Sequence, residues 1–293
     1  MTGRIPGRRQ RGAALLLVLW LIVLLTALVG AFALSARVEQ IQGRVLYRGI
    51  VGDQAARAGL EYALLRLADS DPESRWVPDG RSYEWDFNGM PVRVRVVDES
   101  GKVDLNAADQ PLLASLMAVL GADLPQAEAL AAAIADWRDP DDLGQVAGTA
   151  EDPQYAAAGL PYGAKDAPFE ALSELELILG MPRDLAARMA RHVTVHSGLA
   201  QPDPRYAGGE VLQAMGIEPG PVLAGRGAEP GMAFEPAFVG TGTGTYSIDS
   251  RARLDDGREA RLQAVVRAGG GRLPGAAYVP LQWTEGASAG DDD

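Results

Sequence analysis

From Ala13 to Leu34 no charged residue interrupts the chain and most positions are large and apolar, so this run has no polar face. At ~1.5 Å rise per residue a helix over it measures roughly 33 Å, enough to cross the hydrocarbon core of a bilayer. The pattern then changes without a break. Through Ser35–Ser70, Val38, Ile41, Val45, Ala56, Leu60, Ala63, Leu64 and Leu67 recur at three- and four-residue steps, the period of an amphipathic helix. The spacing predicts one long helix, apolar all round at first and striped afterwards. Gly43, Gly49, Gly52 and Gly59 weaken it by up to about 1 kcal/mol each and mark places for kinks.

Beyond the helix the period drops to two. Tyr83, Trp85 and Phe87 alternate with polar residues, Asn88-Gly89 is a two-residue hairpin turn, and Val92, Val94 and Val96 alternate with Arg93 and Arg95. A second pair of alternating runs lies in Gly244–Gly269, joined by Asp255-Asp256-Gly257. Residues 101–240 between the two pairs read as helix and loop with almost no strand pattern. These patterns predict an α+β fold: a long N-terminal helix packed on an antiparallel sheet, with a large helical domain inserted between the strands. The segment from Gly270 is rich in glycine, proline and acids, and is expected to be a flexible tail.

Charge changes the reading of the first helix. Arg4, Arg8, Arg9 and Arg11 precede the apolar run, which places the N-terminus in the cytoplasm and everything after Leu34 outside. Three outcomes stay open on the residues alone. The run can be a cleaved signal, since Ala31-Phe32-Ala33 satisfies the small-x-small cleavage rule; it can be a retained anchor; or a short leader can be trimmed at Gly12. The apolar run is longer than the ~7–15 residues of a usual signal core, which favours retention. The chain carries a formal charge of −12, and an acidic body repels nucleic acid. With no cysteine there is no disulfide framework and no thiol nucleophile.

The densest chemistry lies in "DWRDPDDLGQVAGTAED", residues 136–152, which holds Asp136, Asp139, Asp141, Asp142, Glu151 and Asp152. Hard oxygen ligands on a glycine-bearing loop suit calcium, which takes six to eight oxygens in adaptable geometry. The EF-hand template fits only in part, because Leu143 falls where a ligand belongs. A metal loop and a solvated acidic loop are both open on spacing alone. His192 and His196 have the i, i+4 spacing of zinc ligands, but no glutamate follows His192 and the surrounding valines suggest a strand-like exit, so a surface role is expected. Two leucine-rich segments, Gly101–Gly121 and Ala167–His196, resemble helix-hairpin-helix units, which elsewhere hold DNA phosphates. Residues 101–199 contain fifteen acids and six bases, the wrong sign for that role. No serine-hydrolase elbow, Walker loop or dinucleotide fingerprint occurs.

Taken together, "QRGAALLLVLWLIVLL" (10–25), "GKVDLNAAD" (101–109), "DWRDPDD" (136–142), "PYGAKDAPFEALSELELILGM" (161–181) and "TYSIDSRARLDDGREARLQAVVR" (245–267) resemble the K-type minor pseudopilins of type II secretion systems. The resemblance implies a pilin-like fold with a helix-hairpin-helix/SAM-like insertion. It implies a leader (1–12) cut by the prepilin peptidase after Gly12, N-methylation of Ala13, a transmembrane stretch (13–34) and a pilin-like helix with first strands (35–100). The inserted domain (101–240), returning strands (241–269) and tail (270–293) follow. It further implies that Asp139, Asp141, Asp142, Glu151 and Asp152 bind one or two calcium ions, with Asp136 a weaker match. Two departures stand out: Thr149 follows Gly148 in the acidic loop, and Asp166 replaces the family's asparagine after Lys165.

Most pilin-like subunits carry glutamate at the fifth mature position, where this chain has Leu17. A buried carboxylate in lipid needs a partner, so a subunit without one is free of the need for an amine above it. Together with the bulk of the insertion, this suits the filament tip. The expectation is a non-enzymatic tip subunit of the bacterial inner membrane, single-pass, with a cytoplasmic N-terminus and a periplasmic body. It would act in protein export across the outer membrane. Expected partners are I- and J-type minor pseudopilins, the prepilin peptidase and inner-membrane lipid, and not nucleic acid. The alternatives are a minor pilin of a type IV pilus or competence system, and a membrane-anchored periplasmic hydrolase, for which the sequence offers no evident nucleophile–base pair.

Overall fold

The computed structural model describes residues 13–141, 143–145, 148–226, 243–269 and 277–288. Two units are distinguished, residues 1–52 and 53–293. Helix α1 runs from Ala13 to Leu67 and continues as helix through Gly43, Gly49, Gly52 and Gly59. In the first unit its apolar residues from Leu15 to Leu34 are all at least half exposed, and this part is long and apolar enough to cross a membrane. The predicted stripe is filled by packing only in part. Val38, Ile41 and Val45 are exposed, whereas Ala55, Ala56, Leu60 and Ala63 in the second unit are buried.

In that second unit the last turns of α1 pack on a five-stranded antiparallel sheet of order β1-β2-β5-β6-β7. Strands β1 (Asp79–Phe87) and β2 (Met90–Asp98) form the predicted hairpin. Asn88 and Gly89 take φ of 52° and 87°, the left-handed pair that a two-residue turn requires, and Asp86 accepts from the Gly89 amide. Strands β5 (Thr245–Arg253) and β6 (Glu259–Ala268) are the second predicted pair, turning through Gly257 at φ 83°. Val92, Val94 and Val96 meet Ile248, Ala252, Leu262, Ala264 and Val266 in one core under the helix. Against the β1 side, Tyr62 stacks on Trp85 at 4.5 Å and Trp76 on Tyr83 at 4.2 Å.

The last strand corrects the sequence reading. Residues expected to belong to a flexible tail form β7 (Tyr278–Ser288), the fifth strand, paired along β6. Trp283 packs against the core and the Arg57 guanidinium lies 5.7 Å from its ring. Pro280 sits at the bulge opposite Val266, as suits a proline on an edge strand.

Between β2 and β5 lies a helical domain with its own core. It contains β3 (Val103–Asp104), α2 (Gln110–Val119), α3 (Leu124–Arg138), α4 (Asp152–Ala157), a 3-10 turn (Leu172–Leu177), α5 (Arg183–Met189), β4 (Val193–Thr194), α6 (Gly209–Ala214) and α7 (Pro219–Gly225). β3 and β4 pair in parallel, a short ladder absent from the sequence expectation. Leu105, Leu113, Leu116, Met117, Ile134 and Met189 are among its fully buried side chains.

Gly59 sets the helix–sheet distance. A Cβ there would stand 2.3 Å from Ser250 Oγ and 2.8 Å from Val92 Cγ1, closer than carbon atoms pack. Gly59→Ala is therefore expected to destabilise the body by about 1–3 kcal/mol despite the better helix propensity of alanine. Gly43→Ala, at a position with no neighbour within 4 Å, should leave the melting of the body unchanged. Thermal melts of the two variants beside the parent check the pair.

Candidate metal centre

Helix α3 delivers the acidic loop. Asp123 caps its start by accepting from the Gln126 amide at 2.8 Å, and its last turn ends in Asp136, Trp137 and Arg138. Asp136 is fully buried. Its Oδ2 accepts from the Ala150 amide at 2.6 Å, fastening the far end of the loop to the helix, while Oδ1 has no hydrogen-bond partner among the described residues. Burial pushes the Asp136 carboxyl above the ordinary carboxylate range, the Ala150 hydrogen bond and the nearby Gln145 pull the other way, and the charge of Asp139 adds to the upward push. Asp139 caps the C-terminus of α3; its Oδ2 accepts from Gln145 Nε2 at 3.2 Å, and its buried Oδ1 is likewise without a described hydrogen bond.

The other predicted ligands are placed differently. Glu151 is buried at the start of α4, where its amide donates to Gln154 Oε1. The Tyr155 hydroxyl is raised to about 12, chiefly by burial and despite accepting from the Leu179 amide; Tyr162, Asp136 and Glu151 add to the rise. Asp136 and Glu151 thus share one buried neighbourhood. Asp141 and Asp152 are exposed: Asp141 accepts from the Leu143 amide, and Asp152 lies against Gly163, where a Cβ would meet its Oδ1 at 1.7 Å. Asp142 lies outside the described residues. No three acids or histidines among the described residues stand close enough to form a cage by themselves. The Oδ1 atoms of Asp136, which is buried, and of Asp139, which is half-buried, are both closed off from solvent without a described hydrogen bond, so each keeps an oxygen of the kind a cation takes.

Three residues that sequence reasoning missed hold this arrangement. Arg138 donates to the Leu105 carbonyl through Nη1 and to the Ala108 carbonyl at 2.6 Å through Nη2, pinning the end of α3 beside β3. Glu174 accepts from Trp137 Nε1 at 3.1 Å, from Lys165 Nζ at 3.0 Å and from the amides of Glu170 and Ala171. Gln145 bridges Gln110 and Asp139. The signal was present in the motif, where Trp137 and Arg138 separate the acids, but its function was assigned to the acids alone.

His192 and His196 flank β4 rather than sharing a helix face, so the zinc spacing is void. Both are half-buried, a correction to the surface role, and burial lowers both below the usual histidine value. Ala13 opens α1, Leu17 is an exposed apolar position on it, and Gly12 lies outside the described residues.

Comparison with known proteins places residues 94–198 in the family described as type II secretion system (T2SS), protein K. Type II secretion system protein K of Pectobacterium carotovorum subsp. carotovorum is 27% identical over 216 residues, and that of Klebsiella pneumoniae 29% over 206 residues. Each match covers 63% of this chain and 62% of the relative's length. Among solved structures, a chain of the GspK-GspI-GspJ complex from the enterotoxigenic Escherichia coli Type 2 Secretion System superposes with a TM-score of 0.58 at 18% identity. That match covers 86% of this chain and 99% of the solved one, and it shows a shared fold.

Removal of the Arg138 anchor should loosen the whole loop. Arg138→Met keeps the aliphatic bulk but leaves two carbonyls without their charged donor, an expected loss of about 2–3 kcal/mol, measurable as an earlier chemical denaturation midpoint.

Proposed function

We propose that the chain, whose residues 94–198 match the type II secretion system protein K family and which is 27% and 29% identical to two of its members, is itself of that family: a non-enzymatic minor pseudopilin at the tip of the secretion pseudopilus. The observation that carries this reading is the insertion of a complete helical domain between β2 and β5 of a sheet that packs on the last turns of a membrane-length helix. A body enlarged in this way obstructs close lateral packing in a shaft and is tolerated where nothing stacks above it. Leu17 supports the same position, since an apolar residue there asks for no neighbouring amine. The solved chain of similar fold comes from a complex with GspI and GspJ; by analogy the proposed partners are I- and J-type minor pseudopilins.

In this reading the arginine-rich leader stays in the cytoplasm, the prepilin peptidase cuts after Gly12, Ala13 is methylated, and the apolar helix remains in inner-membrane lipid with the body in the periplasm. Gly12→Val should then leave an uncleaved precursor and stop secretion. N-terminal sequencing of the mature protein checks this: a start at Ala13 supports the reading, and a start at Leu34 overturns it in favour of a cleaved signal.

The acidic loop is proposed to hold calcium, with the buried Asp136 and the half-buried Asp139 as its inner ligands and Glu151, Asp141, Asp142 and Asp152 as further acids of the same loop. Calcium would neutralise carboxylates that burial otherwise disfavours. Ion binding then adds to stability, by ~2.7 kcal/mol at a free concentration 100-fold above the dissociation constant. Calcium should raise the melting temperature of the full chain in detergent over a chelated sample, and magnesium should do so poorly because it demands tighter octahedral geometry. The double variant Asp136→Asn, Asp139→Asn should lose that response while staying folded, because asparagine at 136 still accepts from Ala150. Identical melting with calcium and with chelator would leave the loop a plain acidic surface.

A further inference from the structure

In a chain of net charge −12, arginines gather on the outer face of the sheet. The register sets Arg93 of β2 opposite Arg251 of β5, and Arg251 opposite Arg261 of β6. Directly opposed side chains on neighbouring strands lie roughly 4.5–5.5 Å apart at Cβ, and like charges there oppose folding. The next row on the same face reads Arg95, Asp249, Gln263. Asp249 neutralises part of the first row: Arg261 donates to it through Nε at 3.0 Å and Nη2 at 2.7 Å, and Arg251 through Nη2 at 3.1 Å. Against the upward push of burial, these two guanidinium groups hold the Asp249 carboxyl below its ordinary range.

The β2 arginines lack such a partner. Arg93 approaches Glu84 only to 3.6 Å between exposed side chains, and Arg95 makes no ion pair or hydrogen bond among the described residues. Arg95 opens onto a cleft of about 970 Å³ between this sheet face and the helical domain, whose lining includes Val97 and Val265, the acids Asp79 and Glu99, already paired with Arg81 and Lys102, and the acids Glu170 and Glu210 on the helical side. The site therefore offers planar donor forks next to an open groove.

We propose that this arginine face receives a carboxylate-rich segment of a partner protein, with Arg93 and Arg95 as the open forks and Arg251–Asp249–Arg261 as the frame that ties β5 to β6 beside them. Asp249 shows the required chemistry in place: a carboxylate gripped by guanidinium forks from two strands. Charge complementarity selects the class of occupant: the open guanidinium forks call for carboxylates, and their confinement to one small face of an acidic body limits the anion to a short segment. The inference is independent of the tip assignment.

The test uses the full chain in neutral detergent and a fluorescein-labelled decaglutamate peptide, read by anisotropy at low ionic strength, where surface attraction is least screened. The parent should bind saturably and lose affinity as salt is added. Arg93→Gln with Arg95→Gln should weaken binding about tenfold or more, whereas Arg183→Gln with Arg188→Gln on α5, an equal loss of charge elsewhere, should not. Should the double variant melt early, Arg95→Gln alone carries the same comparison, since no described interaction is lost with it. Absence of binding by the parent, equal weakening by the α5 control, or tighter binding of an oligothymidylate of equal charge would each overturn the proposal.

Discussion

The two cores of the second unit meet at one buried carboxylate. Glu99, 1% exposed, follows β2 directly and accepts from Lys102 Nζ at 2.6 Å, from Ser247 Oγ on β5 and from Thr194 Oγ1 on β4. A charge taken out of water costs several kcal/mol unless it is paired and its remaining lone pairs are filled. Here both conditions are met only if sheet and helical domain stand in one relation, because the partners come from both. Gly101 tightens the same joint: a Cβ there would lie 2.4 Å from the Tyr206 carbonyl. The Ser100 carbonyl accepts from the Asp203 amide at 2.7 Å. The inserted domain is thus placed by saturated polar contacts as well as by the two chain crossings, and hydrophobic packing serves each core separately.

That division explains what the sequence discloses. The hairpin at Asn88-Gly89 and the pair around Gly257 are legible because turn chemistry and alternation agree within a few residues. The stripe on α1 is legible as a helix but not as a contact, because Val38 and Ala56 obey the same period while only Ala56 is covered. Strand β7 escapes notice because its apolar positions sit in a glycine-, proline- and acid-rich surround and the strand contains Pro280, which alone argues against strand. Its pairing depends on β6, a non-local fact. The Glu99 joint is invisible for the same reason: Thr194 and Ser247 are ordinary hydroxyl residues until the fold brings them together.

The acidic loop was legible as a concentration of carboxylates and illegible as geometry. The family resemblance treats Asp136 as the marginal member and Asp141 and Asp152 as equals of Asp139. Burial reverses the order: Asp136 lies inside, and Asp141 and Asp152 face water. The difference is that Asp136 still belongs to α3 and inherits the buried side of that helix, whereas the later acids lie beyond its end. Asp166 shows the converse. Its departure from the family's asparagine falls at φ 54°, a left-handed conformation that asparagine and aspartate both tolerate better than most residues. The substitution therefore respects the backbone even though it adds a charge.

The last turn of α3 shows how so short a motif carries so much. Successive residues on an α-helix point about 100° apart, so Asp136, Trp137 and Arg138 cannot address the same neighbour. Asp136 turns to the returning loop at Ala150, Trp137 to Glu174 and through it to Lys165, and Arg138 to the carbonyls at Leu105 and Ala108. Three segments far apart in sequence are gathered around one helical turn, each by a different bond. This turn fixes where both ends of the acidic loop stand, and with them the acids that follow. The frame at this turn is built by an arginine and a tryptophan, and one of the carboxylates left with an unspent oxygen is the one that the helix itself buries.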